Sequence, residues 1–108
     1  MHNRNLTILQ KMLGYCEQIT GTHRHFREDQ TLFFDMYEGY VYRNSVSMPI
    51  LQIGELTKHL SEQFRASHRS IPWRAIMGMR DIFAHHYGSV DFTELRKTSH
   101  SDIDALKL

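Results

Sequence analysis

The sequence predicts an all-α protein, an up-and-down bundle of four to five helices that forms a single domain over residues 1–108. Apolar residues recur at helical spacing in most long segments, and the one aromatic-rich segment lacks the alternation of a strand. A chain of 108 residues suffices for one hydrophobic core but not for two. We find no internal repeat, low-complexity tract or linker that would change this expectation.

The first predicted helix covers residues 4–20 and ends near Gly21. Its helical spacing is carried by Leu6, Leu9, Leu13 and Cys16. Residues 21–29 are polar and basic, and they predict a connection. The next segment, Thr31–Tyr42, is rich in Phe and Tyr, so propensity alone would favour a strand. We predict a second helix instead, because its apolar residues do not alternate and a lone strand would have no partner.

The third predicted helix spans residues 44–64. Its apolar positions are Val46, Ile50, Ile53, Leu56, Leu60 and Phe64. Pro49 falls inside it, and an interior proline removes a hydrogen bond, so we expect a kink or a helix start close to Met48. A fourth helix begins at Ser70-Ile71-Pro72-Trp73, with Pro72 at the first helical position. Gly88 predicts its end, as a glycine in the left-handed conformation.

The last predicted helix begins at Asp91, because Asp91-Phe92-Thr93-Glu94 resembles an acidic capping box. The segment Ser101-Asp102-Ile103-Asp104 indicates a second start toward Leu108. These two short pieces complete the predicted bundle.

The composition limits the classes of partner and compartment. Lys and Arg number 13 against 12 Asp and Glu, so nucleic-acid binding must come from a local patch and not from the whole surface. Cys16 is the only cysteine, which excludes an internal disulfide and fits a reducing cytosol. No apolar run could span a bilayer, and Met1-His2-Asn3-Arg4 does not lead into an apolar signal core. We expect a cytoplasmic protein without membrane contact.

Eight histidines are many for this length and raise the question of a metal site. The obvious pairs are His23 with His25 and His85 with His86. Neither pair has the i, i+4 spacing with a carboxylate that a zinc site usually shows. We therefore predict surface or catalytic histidines, with no metal and no cofactor.

The most informative stretch runs from Arg80 to Tyr87. At about 100° per residue, several apolar residues of the fourth helix share an arc about 120° wide, with Arg80 near its middle. The residues on the arc are Trp73, Ile76, Met77, Phe83, Ala84 and Tyr87. An unpaired cation facing a core costs several kcal/mol, roughly, so a carboxylate, a partner chain or a phosphate must meet Arg80. His85 lies about 140° away from it, and joins it only if the helix unwinds or a second chain contributes.

Three separated motifs stand in a specific order: Ile53-Gly54-Glu55-Leu56, then Ile71-Pro72-Trp73, then the Arg80–Tyr87 stretch with its Arg, four residues, His, any residue and Tyr. This order resembles the HepT-like branch of the HEPN superfamily, closely over residues 50–92 and loosely over the whole chain. The resemblance implies a dimeric HEPN-like helical bundle that acts as a metal-independent endoribonuclease toxin. It also implies a type VII-like toxin–antitoxin pair, in which a minimal nucleotidyltransferase antitoxin transfers AMP to the motif tyrosine.

The resemblance and the residue types together give five residues candidate roles. Arg80 and His85 would be catalytic on an RNA substrate such as tRNA or mRNA: Arg80 holds the phosphate, while His85 takes the 2′-hydroxyl proton or protonates the leaving oxygen. Tyr87 would be the AMPylation site. Asp81 and Glu55 are candidate supporting residues. Asp81 is more simply a solvent-facing helix residue, and Glu55 either pairs with Arg80, across the bundle or the dimer, or is an exposed carboxylate.

Two other functions remain open at this stage. The chain could be a non-catalytic nucleotide- or RNA-binding partner of a nucleotidyltransferase, in which Arg80 grips a phosphate and cuts nothing. It could also be a structural bundle in which Arg80 and Glu55 form an internal ion pair. Separately, Gly54 indicates close contact between helices, because a glycine inside a helix is otherwise unfavourable.

Overall fold

The computed structural model describes residues 3–107, so Met1, His2 and the predicted helix end at Leu108 lie outside the described residues. Every regular element in this range is helical, which confirms the all-α class. The elements are α1 (Asn3–His25), α2 (Gln30–Phe34), α3 (Tyr40–Thr57), α4 (Glu62–Ser67), α5 (Trp73–His85), a 3₁₀ turn (Tyr87–Ser89), α6 (Phe92–Lys97), a π-helical turn (Thr98–Asp102) and α7 (Ile103–Leu106).

Helices α1 and α3 run antiparallel. At one end, Asn5 Nδ2 donates to Ser61 Oγ, just beyond α3, at 3.3 Å. At the other end, His23 Nδ1 and the hydroxyl of Tyr42, near the start of α3, are 2.5 Å apart. The end of α1 therefore lies beside the beginning of α3, as in an up-and-down bundle.

Helix α5 reverses direction again and packs on the other side of α3. Arg80, in the middle of α5, forms an ion pair with Glu55 late in α3. Tyr87, just after α5, reaches back to Asn44 early in α3. The segment from α6 to α7 then covers the remaining open side, where Lys107 contacts Thr20 of α1.

The core lies between α1, α3, α5 and the C-terminal helical segment. Its most deeply buried apolar side chains are Met12, Cys16, Ile19, Phe33, Tyr42, Val46, Ile50, Ile53, Leu60, Ile76, Leu95 and Ile103. Each large aliphatic side chain removed from water contributes about 1.5–3 kcal/mol. Burial raises the pKa of the Cys16 thiol to about 11, so this cysteine acts as a small apolar core residue.

The predicted end of the first helix near Gly21 is wrong, because α1 continues to His25. Gly21 lies inside the helix with open space around it. The actual end is made by Arg27 and Glu28, whose φ angles are 57° and 55°. The backbone N–H of Glu28 donates to the carbonyl of His23 at 2.8 Å, a hydrogen bond typical of a left-handed helix end.

The predicted helix over Thr31–Tyr42 is also wrong in its extent, because α2 stops after one turn and a tight turn separates it from α3. Asp35 makes that turn, accepting hydrogen bonds from the backbone N–H groups of Tyr37 at 2.9 Å and Glu38 at 2.8 Å. Arg43 stabilises this connection by donating hydrogen bonds to the backbone carbonyls of Phe33 and Asp35, both at 2.7 Å.

Helix α3 begins at Tyr40 and passes through Pro49, so of the two alternatives expected at this proline, a helix start near Met48 is wrong. The helical pattern that we extended to Phe64 is in fact shared by two helices. Ser61 begins the second one, α4, by accepting a hydrogen bond from the backbone N–H of Phe64 at 3.1 Å. The buried Leu60 lies in the connection and preserves the apolar spacing, which concealed the break.

Helix α5 begins at Trp73, one residue after the predicted start, with Pro72 as the flanking residue. The indole N–H of Trp73 donates to the backbone carbonyl of His68 at 3.1 Å, which anchors α5 to the end of α4. Its predicted left-handed end at Gly88 is wrong, because no glycine among the described residues has positive φ. His86 leaves the helical conformation at φ −141° and ψ 43°, and Gly88 lies in the 3₁₀ turn that follows.

The predicted start of the last helix at Asp91 is confirmed. Its carboxylate accepts hydrogen bonds from the backbone N–H groups of Thr93 at 2.8 Å and Glu94 at 3.3 Å. The predicted second start corresponds to the π-helical turn that leads into α7. Within residues 3–107, none of the helices combines the length and apolarity that a membrane span requires.

Candidate active site

Arg80 lies where α5 comes closest to α3, opposite Gly54. A Cβ atom on residue 54 would collide with the Arg80 side chain, at 2.8 Å from its Cγ, and would press on the carbonyl oxygen of Ile76 at 3.3 Å. The close helix contact expected at Gly54 is therefore present. Only a hydrogen at this position allows the base of the Arg80 side chain to lie against the backbone of α3.

The buried face of α5 is rotated away from the predicted arc. Ile76 and Met79 are buried, whereas Ala84 and Tyr87, which we placed on the core face, are exposed. Met79 was not on the predicted arc. Because the core face is centred closer to Met79, Arg80 lies at its edge, with a side chain that is 20% exposed, and not at its middle.

Two carboxylates meet the Arg80 guanidinium. Glu55 accepts a hydrogen bond from Nε and forms an ion pair with Nη2, and Asp81 accepts a hydrogen bond from Nη1 at 2.9 Å. Lys58 adds a hydrogen bond to Asp81 at 3.3 Å. The hydrogen bond from Arg80, followed by the one from Lys58, lowers the pKa of the Asp81 carboxyl, and the bond to Asp81 is the largest contribution that raises the pKa of Arg80. Arg80 is thus held in one orientation by partners of its own chain.

His85 is the last residue of α5 and is exposed. Its ring makes an edge contact with the His86 ring, at 6.4 Å between ring centroids. The structure does not bring His85 to Arg80 within one chain, because five residues along a helix turn the side chain to a different face.

Tyr87 lies in the 3₁₀ turn beyond α5, with 45% of its surface exposed. Its hydroxyl donates a hydrogen bond to Oδ1 of Asn44. Its ring packs edge-on against Phe83, with centroids 5.6 Å apart and ring planes at 71°. Asn44 went unrecognised in the sequence, because it precedes the motif by more than thirty residues and its own neighbours carry no signal.

A second cluster joins His23, Glu28 and His100, whose possible metal-ligand atoms lie within 4.8 Å of one another. The sequence pairs included His23, but neither of them included Glu28 or His100. The His23 and His100 rings are stacked 3.8 Å apart with planes at 20°, so their in-plane lone pairs run side by side and do not converge. Arg96 forms an ion pair with the Glu28 carboxylate at 3.7 Å, so the negative charge that a metal ion would need is already neutralised. The cluster fits a hydrogen-bonded core better than a metal centre.

The family follows from comparison with known proteins. The family model described as "Ribonuclease HepT-like" matches residues 9–108, which is nearly the whole chain. The chain belongs to the HepT-like ribonuclease family. This agrees with the resemblance expected from the three sequence motifs, and it makes the HepT-like motif residues the first candidates for an active site.

Individual relatives carry ribonuclease names. "Putative RNase TTE0752" of Caldanaerobacter subterraneus is 28% identical over 92 residues, covering 77% of this chain and 82% of its own length. "Putative RNase MJ0125" of Methanocaldococcus jannaschii is 27% identical over 103 residues, with 92% and 81% covered. "Probable ribonuclease HepT" of Thermococcus cleftensis is 44% identical over 55 residues, about half of each chain. No solved structure matches.

Proposed function

We propose that this HepT-like protein is a metal-independent endoribonuclease in which Arg80 and His85 act on the scissile phosphate. The observation that carries the proposal is the fixed guanidinium of Arg80, seated against Gly54 and oriented by Glu55 and Asp81 at the rim of the groove between α3 and α5. A planar guanidinium at a groove edge suits a phosphate, because its remaining N–H groups can bind two phosphate oxygens at once.

The chemistry needs few groups because RNA carries its own nucleophile. The 2′-hydroxyl attacks the adjacent phosphorus, the bond to the 5′-oxygen breaks, and the products are a 2′,3′-cyclic phosphate and a free 5′-hydroxyl. His85 takes the 2′-hydroxyl proton or supplies one to the leaving oxygen, and its exposure at the end of α5 leaves it accessible to a large substrate. Arg80 stabilises the negative charge that grows on the phosphate.

The active unit in this proposal is a homodimer. Within one chain His85 and Arg80 lie on different faces of α5, so a second copy is needed to place a histidine opposite each arginine. The dimer predicts complementation. If each site combines Arg80 of one protomer with His85 of its partner, mixing inactive Arg80→Lys and His85→Ala proteins restores about a quarter of wild-type activity, because half of the dimers regain one site. Failure to recover activity after subunit exchange would exclude the shared site.

Regulation is proposed to act at Tyr87. A minimal nucleotidyltransferase antitoxin would transfer AMP from ATP to the Tyr87 hydroxyl, releasing pyrophosphate, which makes the protein the toxin of a type VII-like toxin–antitoxin pair. The exposed position of Tyr87 supports access by such an enzyme. The added adenylate would bring bulk and negative charge to the groove and hinder RNA binding. The intact mass after co-expression, with Tyr87→Phe as control, tests this step.

The direct experiment is cleavage of single-stranded RNA in the presence of EDTA. Wild-type protein should cut with 2′,3′-cyclic phosphate ends, and Arg80→Lys should lose most of this activity, because an ammonium cannot form the planar pair of hydrogen bonds. Cleavage that needs a divalent ion, or that leaves a 3′-hydroxyl, would overturn the proposed chemistry.

The non-catalytic binding module remains the second candidate, and one observation favours it: His85 and Arg80 do not meet within one chain. A binding module predicts that RNA or nucleotide binding depends on Arg80 and that no cleavage occurs under any metal condition.

A further inference from the structure

A cavity of about 370 Å³ opens in the groove between α3 and α5, beside the candidate active site. It is lined by Asn44, Ser47, Met48, Leu51, Phe83 and Tyr87. Neither the sequence motifs nor the family membership assigns it a ligand. Its lining is mostly apolar and aromatic, with an amide at its rim.

The cavity lies along the same two helices as the Arg80–Glu55 pair, about one helical turn away. Leu51 precedes Glu55 by four residues on α3, and Phe83 follows Arg80 by three residues on α5. Residues three or four apart are neighbours on a helix surface, so the cavity begins about 5.4 Å, one helical turn, from the ion pair. A phosphate at Arg80 would therefore have the base of an adjoining nucleotide within reach of this cavity.

The lining suits a nucleobase. Phe83 and Tyr87, held edge-on to each other, offer an aromatic surface against which a base can stack. The Asn44 amide accepts from the Tyr87 hydroxyl through Oδ1, and its nitrogen makes no hydrogen bond to any residue that the structure describes. That N–H₂ group can donate to a ring nitrogen or carbonyl oxygen on the edge of a base.

We propose that this cavity is a nucleobase subsite, which receives an unpaired base of single-stranded RNA next to the phosphate held by Arg80. The inference rests on the proposed ribonuclease function and gives it a substrate class. Duplex RNA is excluded from such a site, because its bases are stacked and paired. The subsite also gives Asn44 and Phe83 a role in substrate positioning that the catalytic motif does not include.

The test uses a short single-stranded RNA oligonucleotide, together with copies that carry one abasic residue at each position in turn. Cleavage is measured with wild-type protein, and binding with the His85→Ala variant by fluorescence anisotropy. We expect one abasic position to weaken binding and to raise KM by about tenfold, within the range for losing one base–aromatic stack. The other positions should have little effect.

Two matched variants separate the cavity from general disruption. Met48→Trp fills the cavity from an exposed position, and Met36→Trp places the same side chain on an exposed turn away from it. Met48→Trp should weaken binding of the intact oligonucleotide and remove the penalty of the abasic residue, while Met36→Trp should behave as wild type.

Each outcome separates the subsite from the enzyme activity. Cleavage that is unaffected by any abasic residue overturns the subsite and leaves the ribonuclease standing. Base-dependent binding that Met48→Trp abolishes, without cleavage by wild type, supports the subsite and overturns the ribonuclease. The absence of both cleavage and base-dependent binding overturns both.

Discussion

Gly54 and Arg80 are in direct contact, with the Arg80 side chain lying across the position that any larger residue 54 would occupy. The residue after Gly54 is Glu55, the partner of the Arg80 guanidinium. Gly54 and Glu55 therefore have complementary roles on α3. Gly54 leaves the space that the Arg80 side chain occupies, and Glu55 fixes the orientation of its guanidinium. This explains why a glycine stands inside a helix, where it costs about 1 kcal/mol relative to alanine.

Gly54→Ala should destabilise the fold by roughly 1–3 kcal/mol, because the added methyl group overlaps the Arg80 side chain and the overpacking exceeds the gain in helix propensity. Gly78→Ala is the matched control. Gly78 lies on α5, and a methyl group there would meet nothing within 4 Å, so alanine should stabilise by about 0.5–1 kcal/mol. Urea unfolding of both variants measures these changes. Equal changes in the free energy of unfolding would show that the Gly54–Arg80 contact does not require a glycine.

Arg80→Ala should abolish RNA cleavage while changing the unfolding temperature little. The Glu55 and Asp81 side chains are 38% and 55% exposed, and ion pairs at such positions are weakened by water. Differential scanning calorimetry beside the cleavage assay separates the two effects. A large fall in unfolding temperature would instead favour the structural bundle, in which this ion pair serves stability alone.

Stability should decrease as the pH falls from about 6.5 toward 4. Burial, then the neighbouring His100, lowers the pKa of His23 to about 4, with Glu28, Ser99 and Arg96 as its other charged or hydrogen-bonding neighbours. In the unfolded chain His23 is protonated near pH ~6.5, whereas in the folded protein it stays neutral down to about pH 4. The free energy of unfolding therefore has its full value above pH ~6.5 and decreases progressively as the pH falls from there toward 4. Over the whole interval this lowering of the His23 pKa corresponds to about 3 kcal/mol in the free energy of unfolding.

Urea midpoints of wild type and His23→Gln between pH 7.5 and 4.5 check this prediction. The variant should be less stable at pH 7.5 and should lose less stability on acidification than wild type does. Parallel pH profiles would contradict the assignment to His23.

Asp91→Ala should lower stability by about 1 kcal/mol, because two backbone N–H groups at the start of α6 lose their acceptor. Asp104→Ala is the control, since its pairing with Lys107 is an exposed contact at 3.9 Å and should be worth about 0.5 kcal/mol or less. Thermal unfolding of the two variants compares them directly. An Asp104 effect as large as that of Asp91 would argue against the cap.

Local signals explain which parts of the fold could be predicted. The Asp91 cap and the Trp73 helix start depend on neighbouring residues, and both were placed within one residue. The end of α1 could not be, because Arg27 and Glu28 adopt a conformation in which glycine is usual. The turn at Asp35 was missed because the Asp35 side chain competes with the helix for backbone N–H groups, and because Gly39, which precedes α3, was not recognised as the mark of a helix boundary.

The residues of the candidate site that carry a local sequence signal were predictable, and those that depend on how the helices pack were not. Arg80 stood out as a charge in an apolar pattern, and Gly54 and Glu55 were recognisable as its neighbours. Asn44 and the cavity it lines were not, because they depend on how α3 and α5 are aligned. Likewise, His23 and His100 come together only when the C-terminal segment folds over α1.

The catalytic role of His85 is tested by comparing His85→Ala with His86→Ala. Both histidines are exposed neighbours at the end of α5, so the two substitutions should disturb the fold equally. Cleavage and binding of the same single-stranded RNA are measured in EDTA. We expect His85→Ala to abolish cleavage but to retain RNA binding, while His86→Ala remains active. Full cleavage by the His85→Ala protein would show that His85 is not catalytic.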